Sequence, residues 1–184
     1  MLNKKTMSLL KADVIWFFGE GMLGPLFVVF TEKIGGDVLN IARAWATYLI
    51  ITGVFVVILG KLSDKHINKK KLLFRWYVLN AILTFCYLFV DTPHKLLILQ
   101  AGLGIAAAMA TPTWDALYSQ YQSKKTNGLT RGLADGLSEL FTGIAVIIGW
   151  LIITYSSFKI LFIIMGIIQI FSVIMLVPLL KEKD

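Results

Sequence analysis

Six runs of mainly apolar residues, separated by short polar breaks, divide the chain. Each run approaches or exceeds the length of about 20 residues that an α-helix needs to cross a bilayer. The breaks contain residues that favour turns, such as Gly35-Gly36-Asp37 and Thr126-Asn127-Gly128. The pattern predicts an all-α membrane protein with one domain over residues 1–184 and six transmembrane helices, at about 14–31, 44–62, 72–90, 96–121, 133–155 and 160–180.

The composition supports a membrane protein and excludes several functions. Of the 184 residues, 57% are hydrophobic and 16% charged, whereas a soluble domain is about 45–50% apolar and about 25% charged. The sequence has no glycine-rich phosphate loop and no nucleophile and base at a recognisable spacing. Cys86 is its single cysteine. We therefore expect neither an enzyme nor a bound cofactor, and we predict no metal site and no disulfide within one chain.

The basic residues are distributed unequally between the two sides of the predicted membrane. The chain has 18 Lys and Arg residues and a formal net charge of +7. If the N-terminus is cytoplasmic, fourteen of them lie inside and four outside, which agrees with the excess of Lys and Arg in cytoplasmic loops. We expect both termini to be cytoplasmic, in a bacterial-type inner or plasma membrane. Topology then accounts for the positive charge, and nucleic acid is not an expected partner.

The loop between the second and third predicted helices carries a recognisable motif. Gly60 lies four residues before Asp64, which is followed by Lys65 and a basic cluster. This motif resembles the signature of the major facilitator superfamily in the same cytoplasmic loop, although the family's glycine between the basic residues is missing or replaced by Asn68. The resemblance covers one six-helix half of a family whose members normally have twelve helices. It implies a cytoplasmic gate formed by Gly60, Asp64, Lys65, Arg131 and Asp135.

The resemblance to one half also bears on assembly and function. The two halves of such transporters are parallel repeats related by an axis along the membrane normal. Two copies in one orientation would therefore rebuild a transporter as a homodimer. We expect a secondary active transporter that works by alternating access in the lipid bilayer. The alternatives are a fragment of a twelve-helix transporter, or a membrane assembly protein or channel that transports nothing by itself.

Three acidic residues within the predicted helices are candidates for proton coupling or substrate binding. Glu20 lies near the middle of the first helix, where an ionised carboxylate exposed to lipid would be costly. Asp115 lies near the cytoplasmic end of the fourth helix, and Glu139 lies within the fifth. Pro25 should kink the first helix close to Glu20, because proline has no amide hydrogen to donate. The alternative for Glu20 is a protonated side chain that only joins two helices by a hydrogen bond.

Aromatic and small residues at helical spacing accompany these acids on the first and fourth helices. The resemblance implies that these two helices line the central cavity, with lining residues Trp16, Phe17, Gly24, Thr111, Trp114 and Tyr118. Because the deepest ionisable residues are acidic, we expect protons and a small neutral or cationic solute as ligands, either a sugar or an organic cation. The sixth helix is expected to be peripheral and lipid-facing, since Gln169 and Ser172 are its only polar side chains.

Overall fold

The structure, a computed structural model, describes residues 4–63, 68–121 and 127–181, and this part of the chain contains helices and no β-strand. The all-α prediction is therefore confirmed. Within the described residues, five helices are long and apolar enough to cross a membrane, or six spans result if the first two helices form one bent span. The helices are α1 (Lys4–Gly21), α2 (Leu26–Lys33), α3 (Val38–Ser63), α4 (Lys69–Cys86), α5 (Pro93–Tyr121), α6 (Asn127–Tyr155) and α7 (Phe158–Lys181), with a 3-10 turn, Tyr87–Phe89, after α4.

All six spans begin earlier along the chain than their apolar runs predict. Polar capping side chains explain part of this difference. Before α3, the Asp37 carboxylate accepts a hydrogen bond of 2.8 Å from the backbone N–H of Asn40, and this bond holds the pKa of Asp37 below its usual range. Before α4, Asn68 Oδ1 accepts a bond of 3.1 Å from the N–H of Lys71. Such caps satisfy amides that a helix start leaves unpaired, so a helix can begin in a polar segment.

The first predicted span is broken into two helices, and Pro25 lies at the break. The axes of α1 and α2 differ by 46°. Pro25 has no N–H to continue the hydrogen-bond ladder, and the amides of Leu23 and Gly24 bond back to the carbonyl oxygen of Glu20 at 3.1 and 3.4 Å. The predicted kink is confirmed, and it directly follows the turn of helix that carries Glu20.

The helices pack in a series that has α3 and α6 at its two ends. Helix α1 packs against α6 and α7, α4 packs against α5 and α7, and α3 packs mainly against α5. Only 6% of the most apolar stretch of α3 and 17% of that of α6 is buried, against 53% for α5. Within the described residues, α3 and α6 therefore present long apolar faces that the chain itself does not cover.

Two apolar cores occupy the two ends of the bundle. The first core contains Leu9, Leu73 and Trp76, near the ends of the helices that carry most of the basic residues. The second contains Met22, Phe30 and Phe162 at the opposite end, among many other side chains. We call them the basic-end core and the far-end core. A layer of polar side chains lies between them, formed by Glu20, Asn80, Thr84 and Gln169.

Candidate functional site

Two adjoining cavities lie between α1, α3, α4 and α5, and the first also reaches α6. One, of about 270 Å³, contains Asp13 in its wall, and the other, of about 300 Å³, contains Glu20. We call them the Asp13 compartment and the Glu20 compartment. Their walls share Trp16, Tyr48 and Ala107. The seven-residue spacing of Asp13 and Glu20 places both acids on nearly the same face of α1, since seven residues make about two helical turns.

The Glu20 carboxylate is fixed by a side chain from α7. Gln169 Nε2 lies 3.2 Å from Glu20 Oε1 and also donates to the carbonyl oxygen of Trp16 at 3.3 Å. Gln169 is fully buried. Glu20 is only half-buried, because its side chain borders the open space of the Glu20 compartment. The arrangement holds a carboxylate at a defined position in the wall of a cavity within the membrane-spanning bundle.

Uncharged polar groups complete the wall of the Glu20 compartment. Asn80 Oδ1 accepts a hydrogen bond of 3.0 Å from Trp16 Nε1, and Gln100 Nε2 donates to the Tyr87 hydroxyl at 3.1 Å. All four of these side chains line the compartment. They present amides, a hydroxyl and aromatic faces beside one carboxylate, a combination suited to a solute with both apolar and polar parts.

The prediction that the sixth span is a peripheral, lipid-facing helix is wrong for one of its faces. Gln169 and Ser172 are both fully buried, and Ser172 Oγ donates to the carbonyl oxygen of Ala12 at 2.7 Å. Helix α7 packs against α1 and α4, and its exposed isoleucines lie on the other side, at positions 160, 163, 167, 170 and 174. A helix this apolar still has one face that must meet its neighbours, and its two polar residues lie on that face.

An arginine dominates the electrostatics of the Asp13 compartment. Arg131 Nη1 lies 2.8 Å from Asp115 Oδ1, and its Nε lies 3.4 Å from Asp135 Oδ2. The guanidinium also lies over the rings of Trp114 and Tyr118, at 5.1 and 5.9 Å from their centroids. The Arg131–Asp115 pair joins α6 to α5 beside the basic-end core, whereas the Arg131–Asp135 pair lies within α6.

Asp13 lies in the same compartment but is held differently. It is 9% exposed, and its Oδ2 accepts a hydrogen bond of 3.3 Å from Ser138 Oγ of α6. The charges of Asp135, Arg131 and Asp115 all act on it across the compartment. Sequence reasoning did not select Asp13, although its seven-residue spacing from Glu20 is visible in the sequence.

Many of the predicted site residues line one of the two compartments. The Asp13 compartment is lined by Trp16, Phe17, Trp114, Asp115, Arg131 and Asp135, and the Glu20 compartment by Trp16, Glu20 and Gly24. The sequence assigned these residues to three separate groups, namely the cavity lining, the carboxylates and the gate. In the structure, members of all three groups line the same two compartments.

The other predicted residues lie elsewhere. Tyr118 is buried and stacks on Trp114, with the ring centroids 4.5 Å apart. Glu139 is exposed on α6 and is not in the wall of either compartment. Gly60 lies near the end of α3, with nothing within 4 Å of the position a Cβ would take. Asp64 and Lys65, and the side chain of Thr111, lie outside the described residues.

Several lining residues were missed by sequence reasoning, namely Tyr48, Trp76, Asn80 and Tyr87. Most of them come from helices other than the two that the resemblance assigned to the cavity. Within the described residues, no three His, Cys, Asp or Glu side chains are grouped to hold a metal ion.

The chain is similar to known proteins over most of its length. The family model described as Major Facilitator Superfamily matches residues 14–184. A multidrug resistance protein, MdtG, of Enterobacter lignolyticus is 23% identical over 93% of the chain and 42% of its own length. An uncharacterized MFS-type transporter of Methanocaldococcus jannaschii is 24% identical over 93% of the chain and 45% of its own length. The chain therefore spans less than half the length of these curated relatives.

A solved structure has the same fold. The crystal structure of the POT family transporter PepTSo matches all of this chain and 39% of its own chain, with a TM-score of 0.76 and 10% sequence identity. At that identity the likeness concerns the fold alone.

Proposed function

Since the chain belongs to the major facilitator superfamily, we propose that it is one half of a proton-coupled secondary transporter for small organic cations. The observation that carries the proposal is the Glu20 carboxylate, which lines a cavity within the bundle and accepts a hydrogen bond from a buried glutamine. An ionised carboxylate at that depth is costly, so a carboxylate kept there is a candidate for binding or proton transfer. Curated relatives that are named for multidrug resistance support a drug-like substrate.

The charges and walls of the compartments favour a cation over a sugar or an anion. Glu20 and Asp13 are both acidic, and the charge of Arg131 is already opposed by two carboxylates. Aromatic rings in the walls, including Trp16, Trp45 and Trp76, can stack on a flat organic cation and attract its charge. An anionic solute would meet uncompensated repulsion in either compartment.

The second half of the transporter, in our proposal, is another copy of the same chain in the same orientation. Helices α3 and α6 leave apolar faces open. Both carry glycines with nothing within 4 Å of the position that an added Cβ would take, namely Gly53 and Gly60 on α3 and Gly128, Gly132, Gly136 and Gly143 on α6. Small residues allow membrane helices to approach closely. An axis along the membrane normal would bring α3 of one copy to α6 of the other.

The proposal is tested by reconstituting the chain in liposomes and following berberine, a permanently charged aromatic cation, under an imposed pH gradient. We expect the liposomes to accumulate berberine while the pH gradient is present, and to lose this accumulation when the gradient is removed. Wild-type chain co-expressed with an equal amount of an inactive Glu20→Gln chain should keep about a quarter of the activity, because only dimers of two wild-type copies are intact. Activity that falls in proportion to the wild-type fraction would exclude a dimer that needs Glu20 in both copies, but not the transport. No gradient-driven movement of the cation would exclude the transport function.

Arg131 is, in this proposal, the residue that closes the Asp13 compartment at the basic end. Replacing Arg131 by Ala removes both ion pairs and leaves Asp115 and Asp135 to repel each other. We expect the berberine transport rate to fall about tenfold, which corresponds to a shift of about 1.4 kcal/mol between the open and closed states.

The two acids that pair with Arg131 provide matched variants. Asp115→Asn should impair transport more than Asp135→Asn, because Asp115 lies 2.8 Å from Arg131 and Asp135 lies at 3.4 Å. Arg131→Lys should keep part of the activity, since lysine retains the charge but cannot bond both acids with a planar group. Wild-type transport rates in Arg131→Ala would remove Arg131 from the gate.

A further inference from the structure

The Asp13 compartment has the parts of a binding site of its own. It is a cavity of about 270 Å³, and three indole rings, those of Trp16, Trp76 and Trp114, lie in its wall. Trp16 and Trp76 are in contact, with ring centroids 5.2 Å apart. A flat apolar group that enters this space would have aromatic faces on more than one side.

Among the described residues, Asp13 is the acid in this compartment that lacks a cationic contact. Arg131 forms ion pairs with Asp115 and Asp135, whereas the hydrogen bond to Asp13 comes from the neutral hydroxyl of Ser138. Because Asp13 is almost fully buried, its ionised form has little water to stabilise it. A cation in the adjoining cavity would supply the missing charge.

Two indole N–H groups in the same wall are available as hydrogen-bond donors. The Nε1 atoms of Trp76 and Trp114 have no hydrogen-bond acceptor within the part of the chain that the structure describes. Both side chains are buried, since they are only 3% and 9% exposed. Buried indole N–H groups normally find an acceptor. An oxygen atom on a bound solute would provide one if the side chain turns its N–H towards the cavity.

The spacing along α1 separates this site from the one at Glu20. Seven residues correspond to about 10 Å along a helix axis. Trp16 and Tyr48 stand in the wall between the two compartments. A cationic group in contact with Asp13 is therefore too far away to contact Glu20 at the same time.

We propose that the Asp13 compartment is a second binding site, for an organic cation that also carries hydrogen-bond acceptors, separate from the site at Glu20. This inference rests on the proposed transport of cations, and it adds a position that the solute occupies near the Arg131 ion pairs. A solute that crosses the bundle would exchange one carboxylate for the other, with Trp16 in contact at both positions.

Berberine tests this site because it combines a permanent positive charge with ether oxygens that accept hydrogen bonds. Its binding to the purified chain in detergent is followed by fluorescence, without a membrane or a gradient. We expect two classes of site in the wild-type protein. Asp13→Asn should weaken berberine binding about tenfold at the Asp13 class of site and leave the Glu20 class unchanged. Glu20→Gln should weaken binding only at the Glu20 class.

Two further variants keep the test decisive if Asp13→Asn does not fold. Trp76→Phe keeps an aromatic ring and removes the N–H, so it should weaken the Asp13 class several-fold. Glu32→Gln, at an exposed position outside both compartments, should change berberine affinity less than twofold. Unchanged binding in both Asp13→Asn and Trp76→Phe would overturn the second site, whatever the uptake assay shows. Selective loss of one class without any uptake in liposomes would support the site and contradict the transport function.

Discussion

Replacing Glu20 by Gln is expected to abolish the accumulation of berberine that a pH gradient drives, while the protein still folds and inserts. The amide has nearly the shape of the protonated carboxyl, and it can still accept the hydrogen bond from Gln169. It cannot release a proton or provide a negative charge. The variant therefore loses both proton transfer by this side chain and its attraction for a cation. Transport is then no longer coupled to the pH gradient.

Glu32 provides a matched control for this experiment. Glu32→Gln makes the same chemical change in the other half of the first span, on an exposed residue of α2 that is not in the wall of either compartment. We expect wild-type accumulation in Glu32→Gln and only the background of empty liposomes in Glu20→Gln. Undiminished accumulation in Glu20→Gln would remove Glu20 from the mechanism and shift the coupling role to Asp115, Glu139 or Asp13.

Replacing Gly149 by Ala is expected to lower the stability of the bundle markedly. An added Cβ at Gly149 would overlap the carbonyl oxygen of Met22 and lie 2.9 Å from its carbonyl carbon. These are backbone atoms next to the break between α1 and α2, so they cannot move aside as the end of a side chain can. Overpacking of this kind costs about 1–3 kcal/mol, enough to outweigh the gain of about 1 kcal/mol in helix propensity.

Gly143 on the same helix is the matched position. Nothing lies within 4 Å of a Cβ added there, and alanine is still small enough for a contact between membrane helices. In detergent, Gly143→Ala should keep or slightly raise the Tm, and Gly149→Ala should lower it by several degrees. Equal Tm values for the two variants would contradict the close approach of Met22 to α6.

Features that depend on local sequence were predictable. The six apolar runs identified the spans, and Pro25 identified the break in the first one. Helical periodicity also placed Trp16, Glu20 and Gly24, which are spaced by four residues, in the wall of one cavity. Each of these features depends on residues within one or two helical turns, so no knowledge of the packing between helices was needed.

Features that depend on helix rotation were not predictable in the same way. Arg131, Asp135 and Glu139 are spaced by four residues, and each step of four turns the position by about 40° around the helix. The first two face the Asp13 compartment, and the accumulated rotation leaves Glu139 exposed outside it. The burial of Gln169 was missed for a related reason, because hydropathy does not reveal which face of an apolar helix meets its neighbours.

The two apolar cores and the polar layer between them have a consequence for how substitutions combine. Substitutions in separate regions without shared partners have additive effects on the free energy of unfolding, whereas substitutions within one network do not. Pairs with one member in each core should therefore be additive, and pairs that include Asn80 or Gln169 should not. Of the described residues, Leu83 packs against both cores, so a substitution at Leu83 should be non-additive with substitutions in either core.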